Sequence, residues 1–320
     1  MIDLAVQSAI LISSLALLAW ASYFTIEHIE DLMELTGLSE ASAGFVILSV
    51  LTCLPEITVA GFAVYQGAPG ISIGDILGSH VFNIGIVVGL LAVLGSLKAC
   101  RTDLLMELVD ILFLASIIPL LLVILRITVA GPLVGTPLIG VALLAVFVFS
   151  IYRVAKKRSP ALDDSLGRPA QAKSQKKAIL WTLIGAAIVI VMARFAVSSA
   201  SNIVYSLGIL PILMGAKIVA IGTSLPELAF GLTAAKRGRV HLALGDAIGA
   251  NLITITLVLG FVLLLSPFAV DITAFAEILL FVLATNLILW RYLTKGGVSQ
   301  IGGIILIIIY VLFQATVTGL

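Results

Sequence analysis

Ten long apolar stretches leave this chain few places to fold except a lipid bilayer. They run over about 4–24, 40–65, 71–97, 104–125, 133–152, 178–198, 208–235, 242–266, 272–290 and 299–319, separated by short Gly, Pro or charged punctuation. A transmembrane helix needs roughly 20 such residues. The runs are apolar all round and lack the alternation of a sheet, so helices rather than a barrel are expected. Composition agrees: 61% of the 320 residues are hydrophobic and 11% charged, against about 45–50% and about 25% in a soluble domain. Too little polar surface remains to coat a water-facing globule. The expected fold is an all-α polytopic membrane protein of ten transmembrane helices.

Charge narrows the partners and sets the orientation. Eighteen basic and 17 acidic residues give a net charge of +1, with no excess to bind a polyanion, so no nucleic acid is expected. Cys53 and Cys100 lie in or beside apolar runs and provide neither a disulfide framework nor a zinc module. Asp3 is the only charge before the first span, and no basic segment of a cleaved signal precedes it. The polar segment 153–177 carries eight of the 18 basic residues. Lys and Arg accumulate on the cytoplasmic side, which makes this a cytoplasmic linker between residues 1–152 and 178–320. Five spans on either side of it place both termini outside, in the cell membrane. Fifteen basic residues then face inward and two, Arg126 and Arg194, outward, with Lys217 inside a span. The inverse topology would reverse the ratio.

The chain also repeats itself. A shift of 171 residues aligns 44–90 with 215–261 without a gap, and 14 of the 47 positions are identical. They include Gly44/Gly215, Thr52/Thr223, Pro55/Pro226, Glu56/Glu227, Gly67/Gly238, Gly74/Gly245, Asp75/Asp246 and Gly78/Gly249. Chance agreement between apolar segments falls on Leu or Ile, not on Pro, Glu, Asp and Gly in one register. Five spans separate the copies, an odd number, so they enter the membrane from opposite sides. Two inverted five-helix repeats are characteristic of secondary transporters, whose substrate site lies near the midplane where the repeats meet.

The strings T-C-L-P-E at 52–56 and T-S-L-P-E at 223–227 carry the chemistry. A carboxylate at that depth is costly and normally faces a cavity or a partner; a pair at equivalent places incurs that cost twice at one site. Pro55 and Pro226 cannot donate to the carbonyls four residues earlier, and backbone freed in lipid is tolerated only where something satisfies it. Two Glu residues, loosened carbonyls and the hydroxyls of Thr52, Thr223 and Ser224 form an all-oxygen set suited to a hard cation such as Ca²⁺. In G-D-I-L-G-S-H-V-F-N (74–83) and G-D-A-I-G-A-N-L-I-T (245–254), glycines allow close helix approach. Ser79 and Asn83 share a face, as do Ala250 and Thr254. Asp75 and Asp246 read as helix caps or dipole partners and stay outside the cation shell. His80 and His28 read as packed or hydrogen-bonded residues, Glu107 and Asp110 as interfacial or interhelical, and Lys217 as a side chain that snorkels outward.

The paired strings, the G-D-x-x-G-S-x-x-x-N segment and the five-plus-five layout resemble the cation/calcium exchanger superfamily, and within it the prokaryotic sodium/calcium exchangers. The absence of a large regulatory domain fits a compact prokaryotic form. The resemblance implies a central Ca²⁺ site made by Glu56, Glu227 and the backbone oxygens of Thr52 and Thr223. It implies one flanking Na⁺ site at Ser224, Ser79 and the Ala220 carbonyl, and its mirror image at Cys53, Ala250 and the Ser49 carbonyl. Asn83 and its counterpart Thr254, where many relatives have an acid, stand near the centre. It also implies that the first and sixth spans slide as a pair against the other eight. Cys53 and Ala250 depart from the pattern: a thiol is a soft ligand and a methyl group offers none, so one Na⁺ site is expected to be weak or absent.

The expected function is therefore a secondary active antiporter exporting Ca²⁺ in exchange for Na⁺ by alternating access. The alternative is an H⁺/Ca²⁺ antiporter on the same glutamate pair. A cation channel, which would use carboxylate rings in an oligomer, is the rival from another class. No nucleophile–base pair suggests an enzyme. The transported ions are Ca²⁺ and Na⁺ (or H⁺), no cofactor is called for, and the lipid bilayer is the only macroscopic partner, with no obligatory protein partner evident.

Overall fold

In the computed structural model the described residues are 2–36, 49–50, 52–128, 136–156, 175–266 and 270–316. Among them every regular element is helical. In chain order these are α1 (Ile2–Thr36), α2 (Leu54–Tyr65), α3 (Pro69–Phe82), α4 (Gly89–Val93), α5 (Asp103–Ile117), α6 (Leu120–Thr128), α7 (Thr136–Lys156), α8 (Gln175–Leu207), α9 (Pro211–Met214), α10 (Ala220–Thr223), α11 (Leu225–Lys236), α12 (Val240–Ile253), α13 (Leu259–Leu265), α14 (Ile272–Thr294) and α15 (Gln300–Thr316). Wide π-turns at Asn83–Val88, Gly215–Val219 and Thr254–Val258 join several of them into continuous spans.

Among the described residues, eight segments are long and apolar enough to cross a membrane. α15, at 17 residues, falls at the short end of what spans a bilayer. Residues 40–48 of the expected second span, including Gly44, lie outside the described residues, as does most of segment 153–177. At its two ends α7 runs on through Lys156 and α8 begins at Gln175. Residues 153–156 and 175–177 are therefore helical.

The sequence repeat reappears as repeated local structure. α2 and α11 are both 12 residues long, each with its Pro in the first turn. α3 and α12 are both 14 residues and both pass directly into a π-turn. α2 and α11 close on Gly67 (φ 71°) and Gly238 (φ 78°). These two glycines are identical in the repeat because a left-handed turn excludes most side chains.

Two large clusters hold most of the buried apolar side chains among the described residues. One large core joins α3, α5, α12, α14 and α15 through residues such as Leu77, Leu112, Ile248, Phe275 and Phe313. A separate cluster joins α1 to α8 and to the flank of α2, with Leu11, Leu15 and Leu18 against Ala193, Ala196 and Ala200. Among the described residues, α1 packs along α8 more extensively than any other pair of elements. At 35 and 33 residues both are longer than the bilayer core requires. In lipid no hydrophobic gain accompanies helix pairing, so small residues that permit close approach do the work. A Cβ on Gly185 would lie 2.2 Å from Thr25 Oγ1. The closest crossing, of α3 with the span that begins at α9, is of the same kind: Cβ atoms on Gly74, Gly78 and Gly215 would meet opposing backbone at 2.0, 2.3 and 2.1 Å.

Candidate functional site

The repeat's two strings sit at breaks in their helices. Cys53 (φ −75°, ψ 5°) precedes α2 and Ser224 (φ −93°, ψ 2°) precedes α11, each a single turn residue two positions ahead of the proline. Pro226 has no N–H for the carbonyl of Gly222. Glu56 and Glu227 then fall in the first turns of α2 and α11, where exposed N–H groups favour negative charge. Both are buried, at 1% exposure. Glu227 interacts electrostatically with Glu56 and with both aspartates of the repeat, and Glu56 with the same two aspartates. Neither oxygen of Glu227 has a hydrogen-bond partner among the described residues, and nor do Glu56 Oε2, Asn83 Oδ1 or Ser224 Oγ. Buried polar atoms are almost always paired. Unpaired oxygens on two buried carboxylates, with the Ser224 hydroxyl at one of the helix breaks, are donors that fit a hard cation.

Asp75 and Asp246 belong to this centre, which corrects the capping assignment. α3 has no acid in its first turn, its N-cap is Ala68, and Asp75 lies well inside the helix. Asp75 Oδ1 accepts from Thr223 Oγ1 at 2.8 Å, and Asp246 Oδ1 accepts from Thr52 Oγ1 at 3.1 Å. Each bond links one half of the chain to the other, and the two are exchanged by the 171-residue shift. This reciprocity, residue i to j and j to i, is the pattern of a twofold relation. Position in the repeat points to both aspartates; what the sequence cannot show is that neither is near a helix end.

Beyond this pair the backbone contacts still match, but the side chains do not. On one side Ser79 Oγ lies 3.2 Å from Thr223 Oγ1 and 3.5 Å from Asp75 Oδ1, and the Ala220 carbonyl accepts from Ser224 N at 3.1 Å. On the other, Cys53 Sγ donates to the Ala250 carbonyl at 3.5 Å. Cys53, Ala250 and Ile253 there form an apolar cluster with Val50, Ile57, Phe147 and Leu257 around them. The Ser49 carbonyl accepts from Cys53 N and Thr52 Oγ1. Thr254 Oγ1 donates to the Asn251 carbonyl at 3.2 Å.

The other polar residues of the spans have partners outside the glutamate pair. His80 Nε2 bonds Asn286 Oδ1 at 2.8 Å, and Asn286 Nδ2 in turn donates to Ser116 Oγ. His28 Nδ1 bonds the Phe24 carbonyl. Arg153 pairs with Glu107 and Trp290 Nε1 donates to Asp110, so both acids are interhelical. Lys217 does not snorkel free: its Nζ donates to the Gln314 carbonyl at 2.8 Å, in the last turn of α15, where cations are favoured.

The sodium/calcium exchanger protein family model matches residues 6–156 and 177–319. The chain belongs to this family. Among curated relatives of the exchanger, a putative antiporter, CaxA of Alkalimonas amylolytica, is 27% identical over 318 residues, covering 97% of this chain and 98% of that protein. The sodium/calcium exchanger MaX1 of Methanosarcina acetivorans is 26% identical, covering 96% and 97%. Among solved structures, the sodium-calcium exchanger NCX_Mj, soaked with Na⁺ and Sr²⁺, superposes with a TM-score of 0.66 at 26% identity, covering 98% and 99%. The exchanger is thus a multi-pass helical membrane transporter of a cation/calcium exchange family.

Proposed function

We propose that this exchanger is a secondary active antiporter that exports Ca²⁺ against entering Na⁺ by alternating access. In this reading the ion site lies between two inverted five-helix repeats, residues 1–152 and 178–320, with both termini outside and the 153–177 linker cytoplasmic. The observation that carries it is the pair Glu56 and Glu227, both buried and both with unpaired oxygens, at matching helix breaks. Two carboxylates neutralise one divalent ion. They cannot favourably hold a full Ca²⁺ and several Na⁺ together, which makes the ions alternate. Thr52, Thr223 and Asn83 complete the Ca²⁺ shell, and Ser224, Ser79 and the Ala220 carbonyl serve Na⁺. The separate packing of α1 with α8 supports their movement as a unit against the rest.

The apolar cluster of Cys53, Ala250 and Ile253 favours a second reading, an H⁺/Ca²⁺ antiporter, because it stands where the mirror Na⁺ site, with the Ser49 carbonyl, would be. Two glutamates can carry two protons for one Ca²⁺. ⁴⁵Ca²⁺ uptake into liposomes separates the two. Uptake that needs internal Na⁺ supports the sodium exchanger; uptake driven by an acid interior without Na⁺ selects the proton antiporter.

A further inference from the structure

We infer that Asn251 is a positioning residue that turns the Asn83 side chain so that its oxygen is left for the cation; this rests on the proposed Ca²⁺ site. Asn251 stands in α12 at the position that the repeat matches with His80, and it is fully buried. Its Nδ2 donates to the His80 carbonyl at 3.2 Å. A carbonyl can only accept, so the Asn251 amide has one admissible orientation. Its Oδ1 is thereby presented to Asn83, which must answer with Nδ2, at 3.0 Å. The atom left over is Asn83 Oδ1, buried and without a partner among the described residues. A flipped Asn83 would set two acceptors against each other and offer the cation an NH₂.

The His80 side chain is anchored as well. Ser116 Oγ donates to the Leu112 carbonyl at 2.7 Å, so it accepts from Asn286 Nδ2. Asn286 Oδ1 then faces His80, and His80 Nε2 must be the donor. Two backbone carbonyls thus orient two hydrogen-bonded arms that meet at His80, one ending at Asn83 Oδ1 and the other leaving His80 Nδ1 buried without a partner among the described residues. Thr254, the counterpart of Asn83, has no such arrangement: its hydroxyl proton goes to its own helix.

The test is a double-mutant cycle on the full-length protein in liposomes, reading half-saturating Ca²⁺ and maximal rate of Na⁺-driven ⁴⁵Ca²⁺ uptake. Asn251→Ala is expected to raise half-saturating Ca²⁺ about tenfold, the scale of one hydrogen bond, with maximal rate changed less than about twofold. In Asn83→Asp either outer atom is an oxygen, so orientation no longer matters. An Asp at this position sets an oxygen against Asn251 Oδ1, so adding Asn251→Ala to Asn83→Asp removes two facing acceptors and should not raise half-saturating Ca²⁺ further. Effects that add, or an unchanged half-saturation in Asn251→Ala, overturn the inference while the exchanger reading stands. If Asn251→Ala elutes as an aggregate, Asn251→Ser carries the same cycle with the same criterion. Wild-type protein that takes up no Ca²⁺ under any gradient overturns the exchanger reading, and this inference with it.

Discussion

Thr223 donates its hydroxyl to Asp75 at 2.8 Å across the two halves of the chain. The bond ties the residue before one helix break to the interior of a helix that precedes it by 148 residues. Its counterpart, Thr52 to Asp246, does the same in reverse. The two strings that carry the glutamates are therefore each held by the opposite half, so their spacing depends on how the halves meet.

Thr223→Val removes the closest donor to Asp75 and leaves a buried carboxylate oxygen short of a partner, at about 1–3 kcal/mol. The midpoint of thermal unfolding in detergent is expected to fall by several degrees, with Thr223→Ser close to the parent. Thr58 bonds only carbonyls of its own helix, so Thr58→Val should stay within about 0.5 kcal/mol. Equal effects at the two threonines would deny the cross-half bond its role.

Glu227→Gln removes one of two charges facing a divalent ion. A loss of Ca²⁺ affinity above about hundredfold, or about 2.7 kcal/mol, is expected, and isothermal titration or uptake kinetics would measure it. Stability without Ca²⁺ should hold or rise, because both Glu227 oxygens are buried and unpaired and a neutral amide is cheaper to bury. Glu56→Gln should behave alike. Retained Ca²⁺ affinity in both would remove the glutamate pair from the site.

Cys53→Ser with Ala250→Ser restores hydroxyls to the apolar mirror position. If a Na⁺ site is missing there, the double variant should show a steeper Na⁺ dependence of Ca²⁺ release than the parent. A Hill coefficient unchanged by the pair of substitutions would mean that the position takes no part in Na⁺ coupling.

Gly78→Ala tests the crossing that brings the halves together. Its Cβ would lie 2.3 Å from the Ala216 carbonyl oxygen and 2.6 Å from Ala216 Cα, backbone that cannot rotate away. A loss of about 1–3 kcal/mol or more is expected, seen as poor yield and aggregation on size exclusion. A methyl group on Gly61 would meet nothing within 4 Å, and Gly61→Ala should elute as the parent does.

Much of the site is legible in the sequence because the repeat marks it. Glu56 and Glu227 stand out as acids in apolar runs, and Pro55 and Pro226 announce the breaks at Cys53 and Ser224. Asp75 and Asp246 mislead for a specific reason. The apolar run suggests a helix start near residue 71, with Asp75 in the first turn or so, whereas α3 begins at Pro69 and places Asp75 in the second turn, past the N–H groups that a cap serves. Asn251 carries no signal of its own, since an Asn in an apolar helix has many possible partners.

The sequence by itself determined that this chain is helical and membrane-embedded, where its helices break, and that its two halves echo one another. These are consequences of local chemistry: apolar run length, a missing proline N–H, and glycine where φ must be positive. Only the tertiary structure decided which polar atoms are paired and which are left over. Thr223 finds Asp75, Asn251 turns Asn83, and Lys217 goes to Gln314, all through contacts between residues roughly a hundred or more positions apart. Hydrogen bonds are directional and each group has few of them, so the atoms still free to meet an ion are known only once every other partner has been placed.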